Sequence, residues 1–179
     1  MQNNRITIRD KTFEICLSTG EIQSRITELA NQISTDLNGK RPLFICVLNG
    51  AFIFAADLFK RISIEAEVSF VRVSSYAGTQ STGEIKNVMG VSDDLSGRTV
   101  VIVEDIVDRG DTAVYLVEEL KKKAPDKIYF ASLLLKPKAL RHEMKIDYLG
   151  FEVPNDFLVG YGLDYDGLGR NYQDIYKLI

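Results

Sequence analysis

Three short, largely apolar stretches constrain this chain most: Leu43–Leu48, Thr99–Val103 and Ile128–Leu135. Runs this brief, apolar at nearly every position, fit strands covered on both faces better than helices. Segments with helical spacing lie around them. Ile22, Ile26, Leu29, Ala30, Ile33 and Leu37 share one helical face. Ser18-Thr19-Gly20-Glu21 before them has the spacing of a capping box, and Asn38-Gly39 after them closes the helix. Phe52, Ala55, Phe59 and Ile62 follow the first apolar run at helical intervals, so Asn49-Gly50 is a strand-to-helix turn rather than a hairpin. Val114, Leu116, Val117 and Leu120 follow the second, ending at Lys121–Lys123, where cations favour the helix dipole. Further strands are predicted over Val68–Val73 and Tyr148–Val153. Strands alternating with helices predict an α/β fold: a mostly parallel, twisted sheet flanked by helices, with its ligand site at the carboxyl ends of the strands.

The length of 179 residues suits one domain, and 45% hydrophobic with 26% charged residues gives it a core to bury. With 22 Lys+Arg against 25 Asp+Glu the net charge is −3, which argues against a general affinity for nucleic acid or an anionic membrane. No apolar run reaches the roughly 18 residues of a membrane span. Met1–Asp10 is polar and mixed in charge, unlike a signal peptide. Cys16 and Cys46 are far apart and show no metal-ligand spacing, as expected of thiols in a reducing compartment. A cytoplasmic protein with no membrane and no nucleic-acid partner is predicted.

The chemistry concentrates in Val100–Thr112, VVIVEDIVDRGDT. Adjacent carboxylates, Glu104 and Asp105, end a buried strand, where their repulsion is costly unless a cation or a ligand rich in hydroxyls offsets it. Beyond them, Asp108-Arg109-Gly110-Asp111-Thr112 opens a helix, and Gly110 lets successive amides point inward as a cradle for an anion such as phosphate. Acceptors for hydroxyls beside donors for phosphate suit a ribose 5-phosphate. On this local pattern alone, a solvated acidic loop is an equal alternative. There is no Gly-Lys-Ser/Thr loop and no G-x-G-x-x-G after a strand, so nucleotide triphosphate hydrolysis and dinucleotide binding have little support. Ser75–Gly83 is polar and small apart from Tyr76 and reads as a mobile loop.

VVIVEDIVDRGDT resembles the 5-phosphoribosyl diphosphate (PRPP) signature of type I phosphoribosyltransferases. VLNGAF at Val47–Phe52, SSYAGTQSTGEI at Ser74–Ile85, SLLLK at Ser132–Lys136 and GFEVPNDFLVGYGLDYDGLGR at Gly150–Arg170 narrow the resemblance to the hypoxanthine/guanine branch. These five motifs stand in family order with family spacing. The resemblance implies one phosphoribosyltransferase domain over 1–179, with a core at about 43–152 and a small hood from 1–42 and 153–179. It implies transfer of the phosphoribosyl group from PRPP to N9 of hypoxanthine, and of guanine, giving a nucleoside monophosphate and pyrophosphate, with Mg²⁺ as cofactor. Homodimers or homotetramers are usual in the family.

By the same resemblance, Glu104 and Asp105 hold the ribose hydroxyls. Asp108 faces the purine N7 as the proton-exchanging group. The 5′-phosphate lies on Asp108, Arg109, Gly110, Asp111 and Thr112. Leu48-Asn49-Gly50 is the pyrophosphate loop, with a cis peptide expected between Leu48 and Asn49, and Arg170 lies near the pyrophosphate. Ser75 and Tyr76 belong to a lid that shields an oxocarbenium-like transition state from water. Lys136 donates to the purine 6-oxo group, Phe157 stacks on the base, and Leu158 and Asp164 meet its edge. Glu104, Asp105 and Asp164 are the expected metal-side carboxylates.

This sequence also departs from the family pattern. Asn49 stands where relatives often carry Lys or Arg, from which weaker pyrophosphate binding is expected. Arg109 replaces a small or hydroxyl residue, Asp111 puts negative charge beside the phosphate and should face outward, and the family arginine beyond the lysine has no clear match at Leu140 or Arg141. His142 lies in a charged, surface-like stretch and is not expected to be catalytic. A PRPP-sensing nucleic-acid-binding regulator on the same fold, and a transferase for xanthine or a pyrimidine, remain as alternatives.

Overall fold

A computed structural model of the chain describes residues 4–75, 85–89 and 94–179. In chain order its elements are β1 (Arg5–Ile8), β2 (Lys11–Leu17), α1 (Thr19–Asp36), β3 (Leu43–Leu48), α2 (Phe52–Phe59), β4 (Glu67–Ser75) and β5 (Ile85–Met89). Then come β6 (Thr99–Val107), α3 (Asp111–Lys121), β7 (Lys127–Leu135), β8 (Tyr148–Glu152), β9 (Leu158–Val159) and β10 (Ile175–Leu178). The larger sheet has the order β5-β4-β3-β6-β7-β8. Only β5 runs antiparallel to its neighbour; the other pairings are all parallel.

The apolar runs become strands because both faces of this sheet are covered. Phe44 and Cys46 of β3 and Val101 and Val103 of β6 point into a cluster with α1 and α2. Leu43, Ile45, Val47, Val100 and Ile102 point the other way, against Ala113, Leu116 and Leu120 of α3. The expected capping box starts α1: the Ser18 hydroxyl accepts from the Glu21 amide, and the Glu21 carboxylate accepts from the Ser18 amide at 2.9 Å. No helix among the described residues is long and apolar enough to cross a membrane.

A second, four-stranded sheet of order β1-β2-β10-β9 draws its strands from both segments expected to make up the hood. It joins the two ends of the chain around a small core of Ile8, Phe13, Val159 and Tyr176. The expected hood takes in all of 1–42, with Met1–Asp10 polar and mixed in charge. In the structure Arg5–Ile8 is a strand paired with β2, and α1 packs its apolar face on the larger sheet, so of 1–42 the β1–β2 hairpin is the part that joins this second sheet.

Candidate active site

The carboxyl ends of three neighbouring strands, β3, β6 and β7, supply most of the site, as a parallel sheet requires. β6 runs four residues beyond the predicted strand, pairing as far as Val107 with Leu135, so both acids lie on the strand itself. The chain then bends through Asp108-Arg109-Gly110. Gly110, at φ +85°, has the left-handed conformation that turns the backbone into the first residue of α3. A cavity of about 310 Å³ lies here, lined by Glu104, Ile106 and the continuous run from Val107 to Ala113. A helix N-terminus with its free amides facing a cavity of this size is suited to a phosphate. A larger cavity of about 620 Å³, between α3 and the start of β7, contains none of the predicted site residues.

Glu104 and Asp105 are both buried. Burial, reinforced by repulsion from Asp105, pushes the Glu104 carboxyl well above the ordinary carboxylate range. Burial raises Asp105 too, but hydrogen bonds from Glu104 and the Ile106 amide, with the Arg170 charge, hold it back. The Asp105 carboxylate also rests on the backbone of Gly50: a methyl group there would sit 1.8 Å from Asp105 Oδ2. The close approach explains why glycine stands in the turn after β3. The peptide between Leu48 and Asn49 is cis, as expected, and the Asn49 side chain is exposed.

Lys136, just past β7, is buried, and its Nζ donates to Asp108 Oδ2 at 2.9 Å. Its backbone amide donates to the Val107 carbonyl at 2.9 Å, which fixes it beside the bend. A cationic donor and an anionic acceptor therefore stand next to each other at the edge of the cavity. Asp111 faces outward as expected, but its partner is His142 Nε2 at 2.7 Å. The Arg141 amide donates to the Arg109 carbonyl at 3.0 Å. Thus the segment after Lys136, unassigned from sequence, braces the back of the bend.

On the hood side, Phe157 is 42% exposed and packs edge-on to Tyr165, with ring centroids 5.8 Å apart. Lys11 Nζ lies 5.6 Å from the Phe157 centroid and 4.5 Å from that of Tyr165. Neither Lys11 nor Phe13, which also meets the Phe157 ring, was singled out from the sequence. Leu158 is buried within β9. Arg170 ties the loop together: its Nη1 donates to the Gly162 carbonyl and its Nη2 contacts Asp164 Oδ1, each at 2.6 Å. Asp164 Oδ2 accepts from the Gly167 amide at 2.7 Å. Of the expected lid, Ser75 to Ile85, Ser75 is the last residue of β4 and Ile85 the first of β5, whereas residues 76–84, Tyr76 among them, lie outside the described residues.

No three His, Cys, Asp or Glu side chains among the described residues are gathered as a ready-made metal centre. Glu104, Asp105 and Asp164 therefore do not form one preformed cage. The donor set still fits Mg²⁺, which commonly takes one or two carboxylates and completes its shell with water and substrate phosphates.

A family comparison matches the phosphoribosyl transferase domain over residues 17–166. The chain belongs to that family. Among its relatives, the hypoxanthine-guanine phosphoribosyltransferase of Streptococcus thermophilus is 41% identical over 159 residues, covering 88% of both chains. The bifunctional protein TilS/HprT of Listeria monocytogenes is 42% identical over 159 residues, but the match spans only 24% of that longer protein. In three dimensions, a hypoxanthine phosphoribosyltransferase from Staphylococcus aureus superposes with a TM-score of 0.85 and 35% identity, covering 93% of this chain and 91% of that one.

Proposed function

We propose that this chain transfers the 5-phosphoribosyl group of PRPP to N9 of hypoxanthine, and of guanine, in purine salvage. One observation carries the base assignment: the Lys136–Asp108 pair at 2.9 Å beside the phosphate bend. A 6-oxopurine carrying its proton on N7 presents an acceptor, O6, next to a donor, N7–H. Lys136 and Asp108 offer the complementary donor and acceptor. Adenine presents the opposite order, an amino donor beside an N7 acceptor, and leaves buried groups mismatched.

In this reading Glu104 and Asp105 accept hydrogen bonds from the ribose 2′- and 3′-hydroxyls, which relieves the cost of two neighbouring buried carboxylates. The amides of 108–112, with the Thr112 hydroxyl and the Arg109 side chain, take the 5′-phosphate. As N9 bonds to the anomeric carbon and the bond to pyrophosphate breaks, Asp108 accepts the N7 proton. The loop Leu48-Asn49-Gly50 and Arg170 receive the departing pyrophosphate. Phe157 stacks on the base, and Leu158 and Asp164 meet its edge. Asp164, with Glu104 and Asp105 acting on the sugar side, would hold Mg²⁺, which when bound neutralises charge on the leaving pyrophosphate. Ser75 and Tyr76 close over the site.

Two further assignments belong to the same proposal. Unpaired Cys16 and Cys46 suit the reducing cytoplasm, and burial pushes the Cys46 thiol up to about 12. The chain forms a homodimer or homotetramer, for which exposed Phe52, Val68 and Phe70 provide an apolar surface.

Measuring kcat/KM with PRPP for hypoxanthine, guanine, xanthine, adenine and uracil tests the function. Hypoxanthine and guanine are expected to exceed adenine and uracil by at least about 10³-fold, because a hydrogen-bonding site rejects mismatched bases strongly. A preference for xanthine or uracil would replace this assignment with another transferase.

A further inference from the structure

We infer that Tyr161 is a positioning residue for the pyrophosphate end of the site, latching the hood loop to the core through Asp57 and Gln23; this rests on the transferase reading above. Tyr161 lies in the hood loop but turns away from the hood. Its backbone sits at φ +50°, a conformation uncommon for a bulky residue, and its ring is buried in the apolar cluster of α1 and α2. Its hydroxyl donates to Asp57 Oδ2 at 2.6 Å and accepts from Gln23 Nε2 at 3.1 Å. Gln23 Nε2 also donates to the same Asp57 oxygen at 2.9 Å, and Gln23 Oε1 accepts from Arg61 at 2.7 Å. Lys60 holds the other Asp57 oxygen at 2.7 Å. One hood side chain thus closes a network across two core helices.

Packing alone does not fix this ring. A cavity of about 350 Å³ borders it, lined also by Gln23, Ile53, Asp57 and Tyr172, so the ring has room to shift once its hydroxyl is untied. Burial works against a charge on Asp57, yet the bonds from Lys60, Tyr161 and Gln23 outweigh it and hold the carboxyl below its ordinary range. The latch therefore ends on a charged acceptor, which makes the stronger kind of hydrogen bond.

The next residue transmits the position. Gly162 packs so closely on Gly50 that a methyl on it would sit 2.1 Å from the Gly50 carbonyl oxygen. The Gly162 carbonyl in turn accepts from Arg170, which grips Asp164. Where Tyr161 is anchored thus sets the separation between the loop bearing Arg170 and Asp164 and the turn at Asn49-Gly50. Of the residues assigned to the base, Phe157, Leu158 and Lys136 lie outside this chain of contacts, and only Asp164, which also serves the metal side, belongs to it. The expected signature is a defect larger for the phosphate-bearing substrate and product than for the base.

The test is steady-state kinetics on Tyr161→Phe and Asp57→Asn, varying PRPP, hypoxanthine and inhibitory pyrophosphate separately. Tyr161→Phe, which keeps the ring, should raise the KM for PRPP and the inhibition constant for pyrophosphate about five-fold, with the KM for hypoxanthine within two-fold of wild type. Asp57→Asn, which keeps an acceptor for the hydroxyl but removes its charge, should shift the PRPP and pyrophosphate constants in the same direction by less, about two-fold, and leave the KM for hypoxanthine unchanged. If Tyr161→Phe leaves the PRPP and pyrophosphate constants unchanged, or moves the hypoxanthine KM equally, the latch is overturned while an active wild type keeps the transferase reading. A wild type inactive with every base overturns that reading, and the inference with it.

Discussion

Asp105→Asn lowers kcat/KM for PRPP by about 100-fold and at the same time raises the melting temperature of the ligand-free protein. Both effects follow from one placement. Asp105 is a buried carboxylate next to another, and burial raises both above the ordinary carboxylate range. A group whose folded pKa lies above its unfolded value binds protons more tightly when folded, so its ionisation opposes folding. The penalty is absent well below about pH 4, where both states are protonated, grows as pH rises from the unfolded value towards the raised folded values, and levels off above them. Asparagine fills the same space against Gly50 without the charge. In a protein of this size each 1 kcal/mol of repulsion relieved corresponds to roughly 2–4 °C in melting temperature. The gain should be larger at pH 8 than at pH 5. Catalysis moves the other way, because a charged acceptor for the ribose diol is worth about 1.5–3 kcal/mol. Thermal melts across pH, paired with initial rates, check both halves. A variant that is less stable at every pH, or one as active as wild type, contradicts the placement.

Lys136→Ala should lower kcat/KM for hypoxanthine by about 10²–10³-fold and collapse its advantage over adenine. In the proposed complex Lys136, which is buried, would be the donor opposite the 6-position, and without it the pocket would no longer distinguish a carbonyl from an amine there. The same change strips Asp108 of its cation. Hypoxanthine and adenine must be measured side by side, since damage to Asp108 affects both bases whereas loss of the 6-oxo contact affects only one. An unchanged hypoxanthine-to-adenine ratio would remove Lys136 from base recognition. If Asp105→Asn still lowered kcat/KM for PRPP as expected, the sugar site would stand alone.

Much of this arrangement is legible in the sequence because the sheet is covered on both faces. Leu43–Leu48 and Val100–Val103 are apolar throughout, and the acids and glycine after them stand out against that background. The hood was harder to read. Ile6 and Ile8, then Phe13, Ile15 and Leu17, alternate with polar residues as a hairpin does, around Arg9-Asp10. That signal is short, and its partners, β9 and β10, lie at the far end of the chain. The brace from His142 to Asp111 and the latch from Tyr161 to Asp57 could not be read at all. They join residues 31 and 104 positions apart, and only the folded backbone brings such residues together. Motif spacing points to the residues proposed to face substrate; the contacts that hold them in place come from tertiary packing.

The central claim is that one bend, from Glu104 to Thr112, holds both ends of a phosphorylated pentose. A crystal structure of the protein with ribose 5-phosphate tests it most directly. The account predicts the 2′- and 3′-hydroxyls on the carboxylates of Glu104 and Asp105 and the phosphate on the amides of 108–112, in the cavity that opens there. Ribose 5-phosphate bound elsewhere, or Glu104 and Asp105 turned from the sugar toward solvent, would contradict it.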